Sequence, residues 1–128
     1  MLSFQGSSVI RKPALAFLVL GGALLGTLGC QPSLAPSKPL SQLNAQQRSG
    51  YAVYQQDCAS CHYANQTGDL HGPSLFALYR KKYLPSGAPA NDDRVSAAIT
   101  DGHGIMPGFG NQISPQQLQD LLAYLHTL

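Results

Sequence analysis

The sequence has no glutamate and no tryptophan, and charge of either sign is scarce. Eight Lys and Arg and six acidic residues, all Asp, make up 11% of 128 residues, for a formal net charge of +2. An average soluble domain carries about 25%. So small an excess excludes a protein that lives on a phosphate backbone, which needs a clustered basic face, and no nucleic-acid partner is expected. Three cysteines are too few for a disulfide scaffold. Methionine occurs only at Met1 and Met106. A hydrophobic fraction of 44% excludes disorder. The length leaves room for one domain. Nothing alternates with period two, so strands are not expected. The missing glutamate itself suggests no mechanism.

The chain opens with Arg11 and Lys12, then an uncharged apolar run from Pro13 to Gly29. A charged start, an apolar run and small residues at its end describe an export signal. The run is also about as long as the ~17–20 residues that span a bilayer, which leaves an uncleaved anchor as the alternative. Leu28-Gly29-Cys30 resembles the lipobox of bacterial lipoproteins, in which a small residue precedes a cysteine that becomes lipidated. Gly29 and Cys30 match, while Thr27 stands where Leu is usual. The resemblance implies a signal peptide over 1–29 and a lipid on Cys30 that tethers an exported, periplasmic protein to the membrane surface. Simple export, with Cys30 discarded or idle, is the other outcome. Cleavage would remove Arg11 and Lys12 and leave a formally neutral chain, so long-range steering toward a partner would be weak. Residues 30–43 are proline-rich and read as a semi-extended linker, with a reach of roughly 30–40 Å.

Residues 44–128 carry three helical signals. Asn44 caps a first helix running to Gln56, with Tyr51 and Tyr54 on one face and an unexplained Gly50. Asn91 caps a second helix over Asp92–Thr100, stopped by Gly102, with Val95, Ala98 and Ile99 as its apolar side. Ser114, Pro115 and Gln117 form a capping box that opens the third, whose Leu118, Leu121, Leu122 and Leu125 make a buried stripe. A short helical turn is expected over Leu75–Lys82. The domain is all-α, and its long loops hold too few apolar residues to build a core unaided.

Cys58-Ala59-Ser60-Cys61-His62 is the attachment signature for one covalent haem c. Two intervening residues let one turn present both thiols to the two vinyl groups of a porphyrin, and the adjacent His62 becomes an axial ligand. A zinc site would need two more ligands at matched spacing, and His71, His103 and His126 are scattered. A thioredoxin-like pair would need a strand-helix-strand context. For the second axial position Met106 is the only thioether beyond the signal, in the Gly- and Pro-rich loop Gly104–Gly110. A gap-filling core role is the alternative for Met106, and His103 is its only nearby rival.

These residues resemble the small monohaem class I c-type cytochromes over about Ala45–Leu128. Gly50 and Tyr54 lie eight and four residues before Cys58, like that family's glycine and aromatic on the first helix. Leu121 and Tyr124 match the positions of the last helix that cross over the glycine. Gly72-Pro73-Ser74-Leu75 resembles the family's Gly-Pro-x-Leu, which implies that the Pro73 carbonyl orients His62. Met106-Pro107 with Phe109 resembles its methionine loop. Arg80 and Tyr83 are weaker candidates for the haem propionates; a solvated basic face with Lys81 and Lys82 is the other reading.

The resemblance implies an all-α cytochrome c fold and a monomeric single-electron carrier rather than an enzyme. His/Met ligation leaves no open position at the iron and favours the ferrous state relative to bis-histidine ligation. The donor would be a quinol-oxidising complex or a dehydrogenase, and the acceptor an oxidase, a reductase or a photosynthetic reaction centre. Docking is expected near Ala59, Gly104, Ile105 and Pro107, biased toward acidic partners by Arg80, Lys81 and Lys82. Two alternatives stand beside this: a five-coordinate haem protein that binds a diatomic gas or peroxide, and a fixed electron-transfer subunit of a larger oxidoreductase.

Overall fold

The computed structural model describes residues 37–128. The expected signal peptide, the lipid on Cys30 and the linker as far as Pro36 lie outside the described residues. Within them the chain forms three α-helices, α1 (Ala45–Asp57), α2 (Asp92–Asp101) and α3 (Pro115–Leu125), and two 3-10 turns, Leu40–Gln42 and Leu78–Arg80. Among the described residues there is no strand, only isolated bridges at Tyr83–Pro89 and His103–Met106.

Each helix starts where a side chain satisfies its first free amides. Asn44 and Gln47 form a reciprocal capping box on α1, and Ser114 and Gln117 form one on α3. Asn91 accepts from the Arg94 amide at α2, where Asp92 and Asp93 meet the positive end of the helix. The helix boundaries fall within one residue of those read from the pattern.

The central packing event is the crossing of α1 and α3. A Cβ built on Gly50 would lie 1.8 Å from the Asp120 carbonyl oxygen, so the two backbones meet where Gly50 has no side chain. Around this point Tyr51 and Tyr54 each place a ring 5.4 Å from that of Tyr124. Leu121 and Leu125 are buried in the same core, with Val53, Val95 and Ile99. Leu118 and Leu122 of the α3 stripe are half-buried at its edge.

Two expectations need correction. The linker does not extend to Leu43, because Leu43 is 3% exposed and belongs to the core. The Lys38 amide donates to the Thr127 carbonyl at 2.8 Å, and Arg48 donates to the Leu43 carbonyl, so residues 38–43 are strapped onto the domain. Proline punctuation looks the same in a free linker and in a packed strap. The helical turn expected over Leu75–Lys82 contracts to Leu78–Arg80. Its N-cap, Ala77, is fully buried with φ 56°, a left-handed conformation that interrupts any longer helix.

Candidate haem-binding site

The end of α1 shapes the first half of the site. The amides of Cys58 and Ala59 both donate to the Tyr54 carbonyl, and those of Cys61 and His62 both donate to the Cys58 carbonyl. One tight turn therefore follows the helix and carries both thiols and the imidazole. Cys58 is half-buried and Cys61 exposed, and neither is in a disulfide. Burial, then Asp57 and Cys61 nearby, push the Cys58 thiol up to about 11, so it stays protonated at neutral pH.

His62 is held from three sides. Its Nδ1 lies 2.7 Å from the Pro73 carbonyl oxygen. As that oxygen can only accept, Nδ1 carries the proton and Nε2 keeps a free lone pair. The Tyr54 hydroxyl donates to the His62 carbonyl at 2.7 Å, and burial followed by the neighbouring Cys58 raises its pKa, which keeps it a donor. A Cβ on Gly72 would fall 2.4 Å from His62 Cε1, so the imidazole rests directly on the Gly72 backbone.

The loop that presents Pro73 is itself braced, which the sequence reading did not anticipate. The Asp69 carboxylate accepts from the Ser74 amide at 3.0 Å. The buried Ser74 hydroxyl donates to the Gln66 carbonyl and accepts from the Phe76 amide. The Gly72 amide donates to the Cys61 carbonyl at 2.8 Å, closing the loop on the cysteine turn. Only the Asp-x-x-x-x-Ser spacing was available as a signal, and loops lack a period that would pick it out.

Met106 arrives from the other loop. Gly102 ends α2 with φ 84°, and a Cβ there would meet the Met106 carbonyl oxygen at 2.6 Å. His103 and Met106 exchange both backbone hydrogen bonds at 3.0 Å around Gly104 and Ile105. Phe109 and Gly110 donate to the carbonyls of Ile99 and Thr100, tying the loop back to α2. Met106 is half-buried and packs on the same core as Cys58, Leu75, Leu84 and Phe109, while Ile105 at the turn is 92% exposed.

The donor set fits a covalently attached haem. Two thiols share one turn, an imidazole has its distal nitrogen free, a thioether sits on a loop fixed to the same core, and Gly72 provides a cradle that any side chain would fill. Arg80 and Tyr83, the propionate candidates, make contacts of their own within the protein. The Arg80 guanidinium donates to the Leu128 carbonyl and lies 5.6 Å from the Phe76 ring centroid. Tyr83 is 52% exposed, with Lys82 Nζ 5.3 Å from its ring centroid. Among the described residues, no hydrogen bond joins either to His62 or Met106. Lys81 donates to the Ser74 carbonyl at 3.2 Å, so the basic run is partly committed to the domain itself.

Residues 45–125 match the family model described as cytochrome c oxidase, cbb3-type, subunit III. Cytochrome c6 from Limnospira maxima is 32% identical over 80 residues, which cover 60% of this chain and 86% of that protein. The cytochrome bc1 complex cytochrome c subunit of Mycobacterium bovis is 38% identical over 77 residues, 59% of this chain and 25% of that protein. A solved structure of cytochrome c6 from the diatom Phaeodactylum tricornutum aligns with 62% of this chain and 88% of its own, at TM-score 0.49 and 25% identity.

Proposed function

This chain belongs to the matched c-type cytochrome family and carries one haem c held covalently through its Cys-x-x-Cys-His turn, and on that premise we propose that it is a one-electron carrier with His62 and Met106 as axial ligands. The observation that carries the reading is the 2.7 Å contact between His62 Nδ1 and the Pro73 carbonyl. It commits one nitrogen and leaves the lone pair of the other available to a metal ion.

When bound, the haem supplies the one-electron couple. The residues of this chain do the rest. Cys58 and Cys61 would hold the macrocycle by thioethers, and the His62 imidazole and Met106 thioether would be the iron's two protein ligands, leaving no vacant place for a substrate. Pro73, Gly72 and Tyr54 keep His62 from turning, and the clamp of α2 on its loop keeps Met106 in place. Half-buried Leu75, Leu84 and Phe109 pack with Met106 against the same core. Ligands that need not move when the charge changes suit outer-sphere transfer.

Partners are redox complexes, with a quinol-oxidising complex or dehydrogenase as donor and an oxidase, reductase or reaction centre as acceptor. The likeness to a bc1 complex cytochrome c subunit and to cytochrome c6 supports that class. Export and a lipid on Cys30 complete the proposal and place the carrier at a membrane surface. The test is carbon monoxide added to the reduced protein at neutral pH, beside a reversible redox titration. One-electron cycling without carbon monoxide binding is the expected result; rapid binding would replace the carrier with a gas- or peroxide-reactive protein.

A further inference from the structure

Outside the site, one cluster ties three parts of the chain at a single point. Asp92 is the first residue of α2, and His126 follows the last residue of α3. Their side chains meet at 2.8 Å, Nε2 to Oδ1. The His126 ring stacks on Tyr79 of the Leu78–Arg80 turn, with centroids 3.7 Å apart and planes inclined by 14°. The Tyr79 hydroxyl is buried beside the Asp92 carboxyl, just outside normal hydrogen-bond geometry.

What this cluster holds is the start of α2, and the far end of α2 holds the methionine loop. The carbonyls of Ile99 and Thr100 accept from Phe109 and Gly110, and the backbones around Gly102 and Gly108 leave no room for a Cβ. A shift of α2 therefore moves the loop with it. Val95 and Ile99 anchor the helix through the core, but its first turn is exposed apart from Val95. The Asp92–His126 contact is the hydrogen bond that fixes that turn to α3.

We propose that Asp92 and His126 are positioning residues for the Met106 ligand: their contact, stacked against Tyr79, latches α2 and so holds the thioether on the iron. The inference rests on Met106 ligation as proposed above. Its chemistry is consistent with the local electrostatics. The neighbouring Tyr79 hydroxyl holds the Asp92 carboxyl below the usual carboxylate range, against a desolvation effect second to it in size, and His126 adds a smaller lowering. The anionic form is the one a latch needs. Asp92 also meets the positive end of α2, and a cationic His126 would meet the negative end of α3, so the pair joins two helix ends of complementary sign.

Both side chains are about half exposed, at 54% and 49%, so substitution leaves the fold intact and the effect is modest. The experiment compares wild type with Asp92→Asn, His126→Gln and the double variant, using Asn44→Ala as a control that weakens α1 at its N-cap. Two quantities are read on the haem-loaded protein: the sulfur-to-iron absorption band against temperature, and the rate of carbon monoxide binding after reduction. Each single variant is expected to lose the band at a lower temperature and to bind carbon monoxide about two- to fivefold faster. The double variant should match the singles, because both remove one contact. Asn44→Ala should lower the unfolding temperature while leaving the binding rate unchanged. A wild-type band with unchanged rates in the Asp92 and His126 variants would overturn the latch alone. Equal acceleration by Asn44→Ala would reduce it to general destabilisation. A wild-type protein with no sulfur band would overturn Met106 ligation itself, and the latch with it.

Discussion

The imidazole of His62 lies against the bare backbone of Gly72, where a methyl group would sit 2.4 Å from its Cε1 atom. The same residue leads directly into Pro73, whose carbonyl accepts the His62 Nδ1 proton. One backbone segment therefore sets both the position and the tautomer of the proximal side chain. Gly72→Ala is expected to push the ring off that carbonyl and cost about 1–3 kcal/mol of stability. The oxidised spectrum should gain high-spin character. Denaturant titration and absorption check this; an unchanged low-spin spectrum with full stability would show that the ring has room to move.

At the helix crossing the conflict is with backbone rather than with a side chain. A Cβ on Gly50 would sit 1.8 Å from one main-chain atom of Asp120 and 2.4 Å from the next. Nothing flexible can yield there, so Gly50→Ala must separate α1 from α3. Its cost should exceed that of Gly72→Ala, at about 3 kcal/mol or more. A loss under 1 kcal/mol in chemical denaturation would mean the helices re-cross cheaply.

The acid limb of stability should depend on Asp92. Its carboxyl is held low in the folded state, so its contribution is fully present above the unfolded carboxylate range of about 4. That contribution is lost as pH falls through the depressed folded value. Asp92→Asn should therefore be less stable than wild type at pH 6, by under about 1 kcal/mol for so exposed a group, and equal to it in strong acid. Thermal melts across that range check the convergence; a gap that persists in strong acid would assign the loss to packing.

Haem attachment and folding should be coupled. The described core joins three short helices to long polar loops, and a domain of this size has limited apolar area to bury. Replacing Cys58 and Cys61 by Ala should reduce accumulation of the exported protein and leave what remains poorly helical. Circular dichroism of the purified variant measures this, and a cooperative, fully helical apoprotein would contradict it.

Much of this was legible from the sequence because it is local. Ser114 and Gln117 lie three residues apart, as a capping box requires, and the leucines of α3 repeat with the helical period. Gly50 announced itself as an unfavourable residue inside a helix, and the crossing supplied its reason. The cysteine turn and His62 are adjacent in the chain. What could not be read depends on distant or aperiodic partners. His126 and Asp92 are 34 residues apart, and a lone histidine after a leucine stripe looks like any surface histidine. The Asp69–Ser74 brace sits in a loop with no repeat to expose it. The strap over Lys38–Leu43 resembles a linker until Thr127 is seen to accept from it. The Arg80 contact to the Leu128 carbonyl, 48 residues away, was equally invisible in the sequence.

The central claim is that one imidazole and one thioether close the iron. Absorption spectra of the oxidised and reduced haem-loaded protein, with Met106→Ala beside it, test that most directly. The account predicts a low-spin c-type spectrum in wild type with a weak sulfur-to-iron band, and loss of that band with a shift to high spin in the variant. A wild-type spectrum that is already high-spin, or one indifferent to the substitution, would take Met106 off the iron and contradict the account.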